Sequence, residues 1–225
     1  MTNGVPKVIV KLASSLDGRT AMASGESQWI TGPQARYQVQ KLRAASCAII
    51  TGIDSILQDD SSLTVRVDDW LESYGSDIVR QPLRIVLDSN LKIPLDAKIL
   101  QQDGITLIVC VCDNTEKQQQ LESAGISVLK LADHNGRPDL TALLQWLAKE
   151  KGCNQVMVEA GATLSGAFVE QGLADELHVF QAPVLLGASA KPLLNLELTA
   201  MIDKVRLELI DSHKVGNDTW LRYRC

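Results

Sequence analysis

The sequence predicts a mixed α/β fold in which a mostly parallel sheet is flanked by helices and ends in an antiparallel C-terminal hairpin. Up to residue 174, short apolar runs rich in β-branched residues alternate with amphipathic stretches of helix length. Such runs are typical of strands buried on both faces, and parallel strands need helical crossovers between them. Beyond residue 174 the strand-like runs follow one another without helices, and this favours antiparallel pairing.

Six buried strands are expected in the first part of the chain. They are Val8–Leu12, Ala48–Thr51, Leu83–Leu87, Thr106–Val111, Ser127–Leu131 and Gln155–Glu159. The strand-rich end is expected to contain a strand, a short turn and a two-stranded hairpin. Their ranges are Glu176–Ala182, Ala200–Ile202, Lys204–Lys214 and Thr219–Arg224.

Four helices are expected between the strands. The first starts at Pro33, whose missing N–H is not needed in a first helical turn. Asn114 and Asp139 are side chains that cap helix N-termini, and the helix after Asp139 has leucines along one face. The expected ranges are Pro33–Ala45, Thr115–Ala124, Asp139–Glu150 with Asp139 as the cap, and Thr163–Gln171.

Length and composition indicate one globular domain over residues 1–225. The chain has 225 residues, of which 45% are hydrophobic, so it can bury a large core. The polar, acidic stretch Val67–Gln81 is expected to be a surface excursion within this domain, because strand-like runs resume on both sides of it. The sequence therefore predicts a single domain.

Charge and cysteine usage exclude several classes of partner. A net charge of −5 without a basic stripe argues against nucleic acid. No apolar stretch approaches the roughly 20 residues that a membrane span needs, and the N-terminus lacks the apolar core of a signal peptide. The five cysteines are an odd number without metal-site spacing. We therefore expect a cytoplasmic protein in a reducing compartment.

The loop after the first strand suits a ligand that has both a ring and phosphates. It runs from Lys11 through glycines and small polar residues to Ser27, Trp29 and Thr31. Backbone N–H groups approach a ligand closely where side chains are small, and an indole offers a flat surface to a ring. A surface turn before a helix is the plainer alternative for the same loop.

Polar residues also follow the expected strands at their carboxyl ends, where open α/β sheets bind ligands. Glu159-Ala-Gly161 leads from a strand into a helix N-terminus, and such a turn presents N–H groups and partial positive charge that suit a phosphate. A tight connection that needs Gly161 for its backbone explains the turn equally well. The other ends carry Lys11, the stretch from Thr51 to Asp60, and Asp88-Ser89-Asn90.

Other chemistries find little support. Asp59, Asp60 and Glu159 lack neighbouring histidines, so hydrogen bonds to substrate hydroxyls are favoured over a metal site. The glycine spacing fits neither a dinucleotide fingerprint nor a phosphate loop, and no serine elbow is present. The three histidines belong to no catalytic motif and are expected to be structural or solvated. They are His134, His178 and His213.

Taken together, these segments resemble the reductase domain of the bifunctional riboflavin-biosynthesis deaminase/reductase. The resemblance covers nearly the whole chain and is carried by Lys11–Arg19, Gly25–Thr31, Asp59-Asp60 with Leu63–Arg66, Val86–Ser89, and Glu159–Gly166. It implies a dihydrofolate-reductase-like fold and NADPH-dependent reduction of 5-amino-6-(5-phosphoribosylamino)uracil, in which the ribosyl C1′ receives a hydride and the sugar becomes a ribityl chain.

The resemblance also implies roles for individual residues. Lys11 lies where the family has a lysine near the reacting ribose, and Glu159 is the second expected catalytic residue. The residues expected at NADPH are Ala13, Trp29, Ser55, Asp59, Ser89, Gly161, Ala162, Thr163, Leu164, Ser165, Gly166 and Ala167. Those expected at the substrate are Ser27, Arg43, Leu63, Arg66 and Glu159, with the two arginines near its phosphate. No metal ligand is implied.

Partners and alternatives complete the expectations. Nothing in the chain resembles the zinc signature of the deaminase, so it is either a free-standing reductase or one half of a bifunctional enzyme with a separate or fused deaminase. A homodimer is expected from the family and from the apolar edge of the C-terminal hairpin. One alternative is a related reductase acting on the undeaminated pyrimidine or on a pterin, with Asp17 or Glu26 as proton donor. Another is a non-catalytic NADP-binding partner of a deaminase.

Overall fold

The computed structural model describes residues 4–66 and 80–225. Its strands are β1 Lys7–Ser14, β2 Arg19–Ala21, β3 Ala48–Gly52, β4 Leu83–Leu87, β5 Thr106–Cys110, β6 Ser127–Lys130, β7 Gln155–Val158, β8 Glu176–Gln181, β9 Lys191–Pro192, β10 Glu208–Val215 and β11 Asp218–Arg224. Its helices are α1 Pro33–Ala45, α2 Ile53–Asp59, α3 Lys98–Gln101, α4 Thr115–Ser123, α5 Leu140–Lys151 and α6 Ala162–Glu170, with a 3₁₀ turn at Met201–Asp203.

These elements form two compact units. The first unit contains residues up to 7 and 40–157, and the second contains residues 8–39 and 158–225. The strand order in the first unit is β7-β3-β4-β5-β6, with parallel pairing from β3 through β6. Its core combines buried strand residues such as Ile49, Val86 and Ile108 with Ile56 of α2 and Leu121 of α4. Such all-apolar strands are expected where both faces of a sheet are covered.

The second unit has the strand order β10-β11-β8-β1. β1 and β8 are parallel, whereas β11 runs antiparallel to both β8 and β10. Strands β2 and β9 form a separate two-stranded antiparallel sheet. The apolar side chains of Val10, Leu12, Phe168 and Phe180 are buried in this unit. The predicted mixed α/β class, with antiparallel strands at the C-terminus, is confirmed.

The capping signals are confirmed as well. The Asn114 side chain accepts a hydrogen bond from the Lys117 N–H at 3.1 Å, and Asp139 accepts one from the Ala142 N–H at 2.8 Å. Each cap satisfies an N–H that has no partner inside its own helix. The leucine face of α5 is buried, as the spacing predicts.

The short elements differ from the prediction. Residues 53–59, for which no helix was predicted, form α2, which buries Ile56. Helix α3 and strands β2 and β9 have four residues or fewer, too few to show a periodic pattern. In the hairpin, β10 begins at Glu208 rather than at Lys204.

Most of the expected surface excursion, residues 67–79, lies outside the described residues. At its C-terminal end, the Gln81 side chain makes two hydrogen bonds to Val65, accepting from its N–H at 2.9 Å and donating to its carbonyl at 2.8 Å. These bonds fix the backbone next to Arg66. Among the described residues, no helix combines the length and apolar character that crossing a bilayer requires.

Candidate functional site

A partly buried ion pair marks the candidate site in the second unit. Lys11 lies on β1 and Glu159 directly follows β7, and the Lys11 Nζ is 3.4 Å from the Glu159 Oε1. Their side chains are only 13% and 18% exposed. An ammonium and a carboxylate held together with so little water can orient a polar substrate and supply a proton to it. The structure thus joins the two predicted catalytic residues.

A row of polar side chains continues from Lys11 across the sheet. His178 on β8 is the register partner of Lys11, so the two side chains share one face of the sheet. The His178 Nε2 is 2.8 Å from the Glu176 Oε2, and Arg222 on β11 contacts the same oxygen at 3.3 Å. His178 was expected to be structural or solvated, and its burial agrees with a structural role. Its period-two spacing from Glu176 places both side chains on the same face of β8.

The loop after β1 is held by Asp17. Its carboxylate accepts hydrogen bonds from the Ser15 hydroxyl at 2.5 Å and from the N–H groups of Leu186 and Gly187 at 3.1 and 2.8 Å. These donors, the Ser15 hydroxyl first among them, lower the pKa of Asp17 from 3.8 to about 2. The carboxylate is therefore ionised at neutral pH and anchors the start of the loop.

Trp29 lies farther along this loop and is exposed, with 66% of its surface accessible. The Arg36 guanidinium, on the first turn of α1, lies 4.6 Å from the centre of the indole ring. Arg36 also donates to the Thr31 carbonyl at 2.8 Å, which fixes the guanidinium in place. The indole is thus supported by a cation and accessible to a planar ligand. Ser27 precedes it and is half-buried.

The turn into α6 presents a helix N-terminus without a side-chain cap. Gly161 is the N-cap residue and has no side chain to accept the first N–H groups, and the first turn contains no acidic residue. Such an end attracts anions. Gly161 and Thr163 are exposed, and Ala162, Leu164 and Ala167 are half-buried.

Two residues of the turn predicted to bind the cofactor, Ser165 and Gly166, also have a role in local hydrogen bonding and packing. Ser165 is buried and donates its hydroxyl to the Ala160 carbonyl at 3.2 Å. Gly166 is buried against the backbone of Asn195, and a Cβ at this position would lie 2.2 Å from the Asn195 carbonyl oxygen. Close packing therefore explains why residue 166 is glycine.

Three predicted substrate residues lie in the first unit. Arg43, in the last turn of α1, donates to the Thr64 carbonyl at 2.8 Å. Leu63 is buried and has a φ of 52°, a left-handed conformation that bends the chain at this point. The Arg66 N–H donates to the Gln40 side chain at 3.2 Å, and the Arg66 side chain is exposed. Arg43 and the segment carrying Arg66 are thus tied together.

The predicted cofactor residues of the first unit follow the carboxyl ends of β3 and β4. Ser55 and Asp59 lie on α2, which starts directly after β3. Ser55 is half-buried and Asp59 is exposed. Ser89 follows β4, and its carbonyl accepts the N–H groups of Val111 and Cys112 at 3.2 and 3.1 Å. Its neighbour Asp88 is fully buried and accepts the Ile93 N–H at 2.8 Å.

The structure thus contains two groups of candidate residues. In the second unit, Lys11 contacts Glu159 directly, while Ala13 follows two positions later on the same face of β1. The first unit contains the other group, which consists of Arg43, Leu63 and Arg66 together with Ser55, Asp59 and Ser89 at the strand ends. The sequence-based prediction that residues of both units share one pocket stays a prediction. Within residues 4–66 and 80–225, no cluster of three or more His, Cys, Asp or Glu side chains could hold a metal ion.

Comparisons with known proteins show the family of the chain. A family model described as the RibD C-terminal domain matches residues 6–221. The riboflavin biosynthesis protein RibD of Escherichia coli K12 is 42% identical over an alignment of 226 positions, which covers 98% of this chain and 60% of that protein. The chain spans about 60% of the length of the curated relatives that it matches first.

Solved structures extend the comparison to the fold. Acinetobacter baumannii RibD is similar with a TM-score of 0.87 and 41% identity, covering 100% of this chain and 59% of the other. A diaminohydroxyphosphoribosylaminopyrimidine deaminase/5-amino-6-(5-phosphoribosylamino)uracil reductase from Thermotoga maritima is similar with a TM-score of 0.79 over 99% of this chain and 57% of its own. At 20% identity, this second likeness shows a shared fold only.

Proposed function

We propose, on the premise that this chain belongs to the family of RibD C-terminal domains, that it reduces the ribosyl group of 5-amino-6-(5-phosphoribosylamino)uracil with NADPH. The product carries a ribityl chain, as riboflavin biosynthesis requires. The observation that carries the proposal is the Lys11–Glu159 ion pair, 3.4 Å long and largely shielded from water. It supplies a proton donor and an acceptor side by side, and reduction of a sugar carbon needs both.

The residues act on the substrate as follows. Ring opening releases the ribose ring oxygen, and the Lys11 ammonium gives this oxygen a proton. Glu159 holds the ammonium in place and accepts hydrogen bonds from ribose hydroxyls. NADPH, when bound, would supply the hydride to C1′ of the ring-opened iminium, whose nitrogen keeps its own proton and becomes the amine nitrogen. Positioning of the two reactants can by itself lower such a barrier by up to about 7–11 kcal/mol.

The residues of the second unit fit a dinucleotide. The Arg36-supported face of Trp29 matches a planar ring, and the uncapped end of α6 matches a phosphate. Ala13 and the turn from Gly161 to Ala167 are the proposed contacts in this unit, and Ser55, Asp59 and Ser89 are those in the first unit. NADPH, rather than a nicotinamide cofactor in general, is part of the proposal.

The substrate phosphate is assigned to Arg43 and Arg66. A guanidinium binds phosphate through two parallel hydrogen bonds. The Arg66 side chain is exposed while its backbone is held by Gln40, and Arg43 is held at Thr64, two residues away from Arg66. Ser27 and Leu63 complete the proposed substrate contacts.

One observation bears on reduction of a pterin, the alternative within the same fold. That reaction needs an acidic residue to protonate the ring, and Asp17 was one of two candidates. With its pKa lowered to about 2, Asp17 carries no proton at neutral pH, and its oxygens are occupied by backbone donors. Only Glu26, an exposed side chain, is left for that role. The phosphoribosylated pyrimidine is therefore favoured.

The test is an NADPH oxidation assay with three substrates, namely the phosphoribosylaminouracil, its undeaminated counterpart and dihydrofolate. Fastest turnover of the first is expected. Lys11→Met should lower kcat sharply and leave the affinity for NADPH, read from Trp29 fluorescence, nearly unchanged. Lys149→Met, at an exposed position on α5, is the control and should behave as wild type. Cofactor binding without turnover of any substrate would instead identify a non-catalytic partner of a deaminase.

The proposal includes a homodimer in the cytoplasm, alongside a separate or fused deaminase. β10 is the edge strand of its sheet, and Leu207, Leu209 and Ile210 are 39%, 53% and 39% exposed on or beside it. An apolar edge of this kind pairs readily with a second copy. Light scattering at micromolar concentration should give twice the monomer mass, and a monomer would contradict the dimer.

A further inference from the structure

Two of the five cysteines lie side by side at the amino ends of neighbouring strands in the first unit. Cys47 directly precedes β3, and Cys153 lies two residues before β7. The Cys47 N–H donates to the Gln155 carbonyl at 2.8 Å, and the Cys47 thiol donates to the Asn154 Oδ1 at 3.1 Å. The Cys153 and Cys47 side chains also share a hydrogen bond. The two sulfurs are therefore neighbours.

The surroundings of the two thiols differ. Cys47 is half-buried, and the Arg80 side chain makes a hydrogen bond to it. Arg80 is in turn held by its bond to the Ser46 carbonyl at 3.2 Å. The pKa of Cys47 is lowered: burial opposes the shift, but hydrogen bonds from Gln155 and Asn154 and the Arg80 guanidinium outweigh it. Burial raises the pKa of Cys153 to about 11. Cys47 is therefore the thiol that ionises first.

We propose that Cys47 and Cys153 form a reversible oxidation site that a peroxide converts to a disulfide. The Cys47 thiolate attacks one peroxide oxygen and the O–O bond breaks. Cys47 becomes a sulfenic acid, and the second oxygen leaves and takes up a proton, as water or an alcohol. The Cys153 sulfur then attacks the Cys47 sulfur, and hydroxide leaves with the Cys153 proton as water. The two thiols lose two electrons in total, and the peroxide gains them.

The position of the pair determines what oxidation changes. The candidate residues of this unit, Ser55 and Ser89, follow the carboxyl ends of the strands, whereas both cysteines precede the amino ends. A disulfide there joins the starts of β3 and β7 and closes a long loop of chain between them. Cross-links of long loops restrict the unfolded chain, so the oxidised protein should melt at a higher temperature than the reduced protein.

The experiment treats the reduced full chain with hydrogen peroxide near neutral pH, blocks the remaining thiols by alkylation, and maps the peptides without reduction. The main linked peptide should join Cys47 to Cys153 and should disappear with dithiothreitol. In Cys153→Ser, dimedone should trap a sulfenic acid at Cys47. In Cys47→Ser, Cys153 should stay a thiol. Arg80→Gln should slow the oxidation several-fold.

Cys225→Ser is the matched control, because it removes an exposed thiol outside the pair, and it should oxidise at the wild-type rate. The wild-type peptide map needs no variant, so the proposal is tested even if a substitution impairs folding. A map in which Cys47 and Cys153 both remain alkylated while other cysteines react would overturn it. So would equal oxidation of Cys153 in the presence and absence of Cys47.

Discussion

Replacing Gly166 with alanine tests how α6 is positioned, because two effects of opposite sign compete there. Alanine favours a helix interior over glycine by about 0.8–1.0 kcal/mol. The added Cβ, however, would lie 2.2 Å from the Asn195 carbonyl oxygen and 3.1 Å from its carbonyl carbon. Real Cβ atoms do not approach backbone so closely, so either α6 or the segment around Asn195 must move.

The segment around Asn195 resists such a movement. The Asn195 N–H donates to the Ala162 carbonyl at 3.1 Å, and its side-chain amide donates to the Thr163 hydroxyl at 2.9 Å. Overpacking of a close contact costs typically about 1–3 kcal/mol. With a fixed backbone as the obstacle we expect the upper part of this range, and hence a net destabilisation of about 1–2 kcal/mol after the helix gain is subtracted.

The measurement is thermal and urea unfolding of the purified variant. A loss of about 1–2 kcal/mol lowers the Tm of a chain of this size by roughly 2–8 °C. Gly161→Ala is the control, since nothing lies within 4 Å of its Cβ position and its φ of −70° is ordinary for alanine. It should cost less than Gly166→Ala. A Gly166→Ala protein more stable than wild type would show that helix propensity dominates and would refute the steric argument.

Two further predictions concern the substrate phosphate and the loop anchor. Arg66→Ala should raise the substrate KM by about tenfold or more with a smaller change in kcat, because a charge-assisted contact serves the bound substrate and the transition state alike. Arg137→Ala, at an exposed loop position, should leave the KM unchanged, and an unaltered KM in Arg66→Ala would remove that residue from the phosphate site. Because folding lowers the pKa of Asp17 from 3.8 to about 2, its stabilising contribution is complete above 3.8 and is lost as the pH falls towards 2. Acid unfolding followed by circular dichroism should therefore show a steeper loss of stability over that window in wild type than in Asp17→Asn, and identical slopes would contradict the proposed anchor.

The long elements of this fold could be predicted from the sequence because each has enough residues to show its own periodicity. Helix α5 is an example: Asp139 caps it, four leucines occupy one face, and all four are buried. All six apolar runs expected before residue 174 became strands, although β6 is partly exposed rather than buried. Lys11 and Glu159 could be singled out because both follow apolar runs directly, and the structure brings their charged groups into contact.

Features set by tertiary contacts could not be predicted in this way. Helix α2 has only seven residues and buries Ile56, so the sequence shows no helical periodicity there and no helix was predicted. The contact of Arg36 with Trp29 joins residues seven apart, across a loop whose path is not encoded locally. Gly166 was assigned to a ligand-binding turn, although the sequence could not show that residue 195 packs against it.

The stretch between β8 and the 3₁₀ turn connects the separate parts of the second unit's candidate group. Its start is bonded to the loop after β1, since the Ala182 N–H donates to Ser14 and the Leu186 and Gly187 N–H groups donate to Asp17. β9 then pairs with β2. Finally Asn195 is bonded to the first turn of α6. A stretch with no catalytic candidate of its own therefore sets both the origin of the Trp29 loop and the position of the N-terminus of α6, the proposed phosphate contact. Substitutions in this stretch should therefore displace the Trp29 loop and the N-terminus of α6 together, because both are held in place by hydrogen bonds to it.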